Sequence, residues 1–190
     1  MREAQNTDKS SVVEILARSF ATNKSVNYII GDGKKRTRRL NALMAYSYDF
    51  CKRNGEVFLS EDGSGCALIV MPDEKRTTLL SIFQDLRLVF TCIGLKNLSK
   101  AIKRESIIKR HHPNSKLYYL WYIGVDPLAQ GNGIGTVLLS ELIQRGQALG
   151  RTICLETSTE INLPWYKENG FATYKTIDLG YPLYFLKHQR

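Results

Sequence analysis

The chain has 190 residues, 43% hydrophobic and 24% charged, and 27 Lys and Arg against 18 Asp and Glu give a formal net charge of +9. That length suits one substantial domain burying about 70% of its unfolded surface, and the longest apolar runs, "CALIVM" and "LVFTCIGL" among them, are too short for a membrane span. The polar start "MREAQNTDKSS" lacks a signal-peptide core, and Cys51, Cys66, Cys92 and Cys154, scattered without metal-ligand spacing, read as reduced thiols in a cytoplasmic protein.

Asp8 is placed to cap a first helix with Val12, Val13, Leu16 and Phe20 at helical spacing. A second helix is expected from about Lys35 to Cys51. "EVFLS", the turn "EDGSG" and "CALIVM" read as a hairpin, because Asp-Gly between apolar runs favours tight reversal. From Thr77 to about Arg110 two helices are expected, broken near Gly94. "KLYYLWYIGV" is dense in aromatic and β-branched residues and reads as a long central strand. A glycine-rich loop and a helix with Ile134, Leu138 and Leu142 on one face follow, ending near Gly150. "TICLETS" is a strand, "NLPWYKENG" a short helix closed by Asn-Gly, and "FATYKTIDL" and "YPLYFLKH" two final strands. Strand and helix alternate through this half, the pattern of an α/β sheet with helices on its faces.

The loop "VDPLAQGNGIGTVLL" carries Gly131, Gly133 and Gly135 between strand and helix. Glycine there signals a sharp turn or a close approach to the backbone, and the free N–H groups of the helix start make an anion seat. A P-loop would need Lys-Ser/Thr after its last glycine, where this chain has Thr136 and Val137. A dinucleotide fingerprint is mimicked, with Glu156 about 20 residues on, but its third glycine falls one residue early and "DPLAQ" separates the strand from the first glycine.

The remaining pattern, Gln130-x-x-Gly133-x-Gly135, resembles the signature Gln/Arg-x-x-Gly-x-Gly/Ala of the GNAT superfamily of N-acetyltransferases. "NLPWYKENGF", Asn162 to Phe171, resembles a second family segment about 25 residues later, and together they cover Leu117 to Phe171. The resemblance implies a mixed α/β fold, a mostly antiparallel sheet of about six to seven strands flanked by helices, with a splayed parallel pair at the cofactor site. It implies one acetyltransferase domain over residues 1–190, with acceptor-side helices and the first hairpin in 1–112 and the acetyl-CoA-binding, catalytic half in 116–188. Acetyl-CoA is then the co-substrate, with no metal, and an amine on a small molecule or protein the acceptor.

Carried onto this chain, the family pattern puts the diphosphate over Gly131, Asn132, Gly133, Ile134, Gly135 and Thr136, with Gln130 donating its side-chain amide. Ile123, Gly124 and Val125 end the strand where its neighbour splays away, and the Ile123 N–H is the expected oxyanion donor. Asn162 matches a CoA-contacting asparagine, and as a bare residue it is equally an N-cap. Tyr166 matches the tyrosine that returns a proton to the departing thiolate. Glu156, at a strand end, is the candidate base, with a Lys or Arg ion pair as its structural alternative. His111 and His112 read as surface residues, Asp126-Pro127 as turn chemistry, and Tyr118, Tyr119 and Tyr122 divide between core and cleft by alternation. Direct attack by the amine is expected, since Cys154 has no histidine near it in sequence to serve as a nucleophile's base.

Basic residues cluster in Lys34–Arg39 and Lys96–His112, which is compatible with solvated helix faces, an acidic acceptor or nucleic acid. Two other readings stay open: a catalytically silent acyl-CoA-binding or regulatory module, and a nucleic-acid-binding protein using the second cluster. The latter lacks interleaved aromatics. Membrane attachment is not expected, and a homodimer is compatible with the family.

Overall fold

The computed structural model describes residues 1–75 and 95–189. Seven strands are found among them: β1 (Arg2–Glu3), β2 (Gly55–Leu59), β3 (Gly65–Val70), β4 (Leu117–Val125), β5 (Thr152–Thr157), β6 (Phe171–Asp178) and β7 (Pro182–His188). They form one sheet in the order β1-β2-β3-β4-β5-β7-β6. Every pairing is antiparallel except β4 with β5. The helices are α1 (Lys9–Ser19), α2 (Lys24–Ile30), α3 (Arg36–Asn54), α4 (Leu95–His111), α5 (Ile134–Ala148) and α6 (Leu163–Glu168). The mixed, mostly antiparallel architecture expected from the sequence is the one found. The first of the two helices expected between Thr77 and Arg110, and Cys92, lie outside the described residues. Among those residues no helix is long and apolar enough to cross a membrane.

Strand alternation sorts the core onto two faces. Val57, Leu59, Cys66, Leu68, Val70 and Tyr122 face α1 and α3, meeting Val12, Leu16, Leu40 and Met44. Phe58, Ala67, Ile69, Tyr118 and Leu120 face α5 and α6, meeting Leu139, Leu142 and Tyr166. β3 is buried at every residue, which explains why "CALIV" reads as an unbroken apolar run. Ile108 of α4 packs against Tyr181, Leu183 and Phe185 at the β7 end.

Two local expectations need correction. Asp8 precedes α1 but makes no cap hydrogen bond to it. Its carboxylate is taken by the Gln5 N–H (2.7 Å) and the Arg2 guanidinium (2.7 and 2.9 Å). α2 is too short to show periodicity in the sequence; Asn23 caps it by accepting from the Val26 N–H at 3.0 Å. The Lys34–Arg39 cluster is partly spent on this helix. Arg36 bonds the Ala21 carbonyl and Asn27 Oδ1, and Arg39 donates to the Ile30 carbonyl at 2.9 Å, near the negative end of the dipole.

The feature that positions the site is where β4 leaves β5. Their parallel pairing holds only from Leu117↔Thr152 to Tyr119↔Cys154. Beyond it, the β3–β4 register skips a residue: Leu68 opposes Tyr122 and Ile69 opposes Leu120, leaving Trp121 unpaired. A bulge bends a strand and sharpens its twist, so β4 turns away while β5 continues on β7 to Thr157.

Candidate active site

Asp126 donates its N–H to the Ser64 carbonyl at 2.8 Å. By antiparallel alternation the N–H groups of Gly124 and Tyr122 then face β3, while those of Ile123 and Val125 face the gap left by β5. The Val125 carbonyl is already engaged, accepting from Ser19 Oγ at 2.8 Å and Gln130 Nε2 at 3.1 Å. Gln130 thus braces the strand end rather than extending a free amide into the cavity.

The glycine loop divides by cause. Gly131 and Gly133 have φ of 84° and 75°, which side-chain-bearing residues rarely adopt, so the turn itself demands them. Gly135 lies inside α5, and a Cβ there would meet only Trp165 Cζ2 at 3.6 Å and Val125 Cγ2 at 3.7 Å, ordinary contacts. The fold does not require glycine at 135; space on the cavity side is what its hydrogen leaves. Gly133 occupies the N-cap of α5 and has no side chain to bond the first turn's N–H groups. Those groups open on a cavity of about 840 Å³ lined by Ile123, Gly124, Val125, Gln130, Gly131, Gly133, Ile134, Gly135 and Thr136, with Asn162 and Tyr166 opposite. Asn132 is not in that lining; its amide bonds the Ala129 carbonyl at 3.1 Å. Trp165 Nε1 donates to Thr136 Oγ1 at 2.9 Å, tying α6 to the start of α5. Asp126 caps the turn as expected, accepting from the Leu128 N–H at 3.0 Å, and also pairs with Arg18 at 2.9 Å.

A second cavity, about 890 Å³, lies on the other side of the same wall. The two share Phe20, Asn23, Ile123, Ser158, Thr159, Asn162 and Tyr166. Phe50, Tyr46 and Trp121 supply an aromatic side, with Phe50 edge-on to Trp121 at 5.4 Å. Arg104, Lys109 and His112 come from α4 or just after it, and Glu156 from β5.

Tyr166 is 5% exposed, and burial pushes its phenol well above the usual tyrosine value. It is held by its rings' contacts with Trp165 and Phe171. Its hydroxyl has no hydrogen-bond partner among the described residues. Asn162 occupies the N-cap of α6 without making a cap bond, so its amide is left facing the cavities.

Glu156 has only 3% of its side chain exposed, and it pairs with neither Lys nor Arg. His112 Nε2 lies 2.9 Å from Oε1, and the Tyr119 hydroxyl donates to Oε2 at 2.5 Å. The expectation of a surface His112 is therefore wrong: its side chain is 13% exposed and stacked on Tyr119, ring centroids 4.9 Å apart. The sequence reading failed because a basic run was taken for a solvated face, although α4 ends against the sheet. Tyr118 points to the opposite face, donating to Glu56 at 2.7 Å, so alternation does separate the neighbouring tyrosines. Cys154 is buried, and burial holds its thiol well above the ordinary value, which leaves no thiolate for nucleophilic chemistry.

With this geometry in place, residues 95–171 match the acetyltransferase (GNAT) family. Over that segment, which is under half of the chain, the chain is similar to the GNAT family. Solved structures resemble it over nearly their whole length. The histone acetyltransferase HPA2 and related acetyltransferase from Corynebacterium glutamicum has 22% identity and a TM-score of 0.75, covering 98% of this chain and 93% of that one. The C-terminal condensation domain of Ebony, in complex with β-alanyl-dopamine, has 9% identity and a TM-score of 0.70, covering 100% and 97%. An N-acetyltransferase from Staphylococcus aureus has 17% identity and a TM-score of 0.60, covering 98% of each. At these identities the likeness is one of GNAT fold.

Proposed function

We propose that this chain is an acetyl-CoA-dependent N-acetyltransferase that moves an acetyl group to a primary amine by direct attack. The observation that carries the reading is the meeting of the two cavities. One is floored by backbone N–H groups suited to a diphosphate, the other by side chains suited to an amine, and Ile123 and Tyr166 belong to both.

The loop amides of Gly131 to Thr136 and the α5 N-terminus would hold the diphosphate without a metal. Acetyl-CoA supplies the activated thioester. An amine of pKa about 10.4 is almost wholly protonated at neutrality, a deficit of roughly 4–5 kcal/mol in free base. Glu156, aligned by His112 and Tyr119, takes the proton that neutralises the amine and passes it to solvent, then takes the second nitrogen proton as the amide forms, directly or through a water. The Ile123 N–H donates a hydrogen bond to the carbonyl oxygen as charge develops there on forming the C–N bond, a contribution on the order of 3 kcal/mol where such donors have been removed. Tyr166, kept protonated by burial, gives its proton to the sulfur as the C–S bond breaks, and regains one from solvent. In this reading the split at residue 112 is not clean. Trp121 and Glu156, both beyond it, line the acceptor cavity.

The test is calorimetry with acetyl-CoA, CoA and NADH in chelator, followed by thiol release over an amine panel with wild type and Tyr166→Phe. Metal-free binding of both CoA compounds but not NADH is expected, with kcat about 100-fold lower in the variant. Failure of either CoA compound to bind would overturn the reading. Full turnover by Tyr166→Phe would remove its proton-donor step.

A further inference from the structure

We propose that Arg104 is the subsite for an anionic group, carboxylate or phosphate, carried by the amine acceptor. The inference rests on the acyl-transfer reading above and narrows its substrate class to zwitterionic amines.

Arg104 projects from α4 into the wall of the acceptor cavity. Its Nη2 donates to Ser25 Oγ at 2.6 Å and its Nε to the Tyr181 hydroxyl at 3.2 Å. Both partners are neutral, so they aim the guanidinium without neutralising it. Arg18, Arg145 and Arg151 each hold at least one carboxylate. Arg104 pairs with none among the described residues, and its Nη1 has no hydrogen-bond partner there. Arg53 likewise has no partner among the described residues, its nitrogens buried, but it lines neither cavity. A guanidinium half-withdrawn from water and oriented by hydroxyls gains most from a charged acceptor, because its fork matches carboxylate and phosphate oxygens.

The surroundings favour this occupant. Lys75, Lys109 and Arg110 also line the cavity, against Glu105 and Glu156. Glu105 is taken up by Lys109 at 3.5 Å, and Lys75 stands 5.4 Å over the Phe50 ring. Glu156 is engaged by Tyr119 and His112. In the acyl-transfer reading the cavity therefore offers one buried acid for the amine and an uncommitted cation for an anionic group on the same acceptor. Ser25 is itself anchored, its N–H bonding Ser158 Oγ at 3.2 Å, and Ser158 lines both cavities. An anion docked at Arg104 is thus held in fixed relation to the strand end at which transfer occurs.

The experiment uses the full chain and two matched pairs, tyramine with tyrosine and ethanolamine with O-phosphoethanolamine. Binding is read by calorimetry on CoA-saturated protein, and kcat and KM by thiol release with acetyl-CoA. Wild type is expected to prefer the charged member of at least one pair by about tenfold or more in affinity and in kcat/KM, since a site built to bond a group rejects analogues lacking it. The pair showing the preference tells carboxylate from phosphate. Arg104→Gln is expected to reduce the preference to within about twofold, by raising KM for the charged member at least about fivefold more than for the neutral one. Arg104→Lys, which keeps the charge and loses the fork, should retain part of it. No preference in either pair, or an equal loss for charged and neutral members in Arg104→Gln, would overturn the proposal while leaving acetyl transfer standing. Absent CoA binding would instead overturn the acetyltransferase reading beneath it.

Discussion

The two cavities are built from different materials. The one on the glycine-loop side is mostly backbone: loop amides, the first turn of α5 and the end of β4. Its loop side comes from one short stretch, Ile123 to Thr136, while residues near Ser19–Lys24 and Ser158–Tyr166 complete it. The acceptor-side cavity is mostly side chain, drawn from α3, α4, β4, β5 and the segments beside them. A diphosphate is the same in every reaction and suits a fixed backbone cradle, whereas an acceptor is read by whatever side chains distant elements bring together. Under the proposed function, the contrast teaches where substrate choice can change without disturbing the cofactor seat.

The largest expected effect would break that contrast at Gly135. The fold tolerates a Cβ there, so Gly135→Glu should fold normally yet lose CoA affinity by about 100-fold or more, the side chain filling the seat and adding charge against the diphosphate. Calorimetry beside a thermal melt separates the two. Unchanged affinity would mean that the glycine loop is a turn and no seat.

A smaller effect sharpens the contrast from the other side. Phe50→Ala removes a wall of the acceptor cavity alone. It should raise the acceptor KM about tenfold and cost up to about 3 kcal/mol of stability, while CoA affinity stays within twofold. A matching loss of CoA affinity would show the cavities to be coupled.

The smallest effect bears on the frame that both cavities share. The Arg2 guanidinium and the Gln5 N–H hold Asp8 down at about 2, and the hydroxyls of Ser60 and Ser64 do the same for Asp62. Glu56 is also lowered: burial opposes its charge, but Arg145 and Tyr118 outweigh it. Arg151 lowers Asp73. Groups depressed on folding contribute stability that is complete above their unfolded values, near pH 4, and lost as pH falls through the folded ones. These carboxylates should therefore make the melting temperature decline from about pH 4 toward 2. Asp8→Asn should shrink the decline only slightly, because the ion pair with Arg2 is solvent-screened.

Legibility followed the same division. The strand, glycine loop and helix from Leu117 to Gly150 could be read because each is a local pattern, and Gln130, Gly133 and Gly135 keep a fixed spacing. Tyr166 and Glu156 could be singled out for the same reason, one by a motif and one by its strand end. Trp121, Arg104, His112 and Ser25, which line the second cavity, carry no such local signal. Trp121 matters through a bulge defined by its β3 partner, and no residue type announces a skipped register. His112 looks like part of a basic run until α4 is docked against β5. The α2 helix was lost because seven residues do not establish a period.

By itself, then, the sequence determined the mixed fold class and the run of strand, glycine loop and helix from β4 to α5, because backbone conformation and helix ends are governed by neighbours along the chain. Only the tertiary structure decided the strand order that sets β7 between β5 and β6, the splay at Trp121, the pairing of Glu156 with His112 and the isolation of Arg104 from any described carboxylate. Those depend on which side chains meet across long loops, and burial and charge pairing are properties of the assembled core that no local window contains.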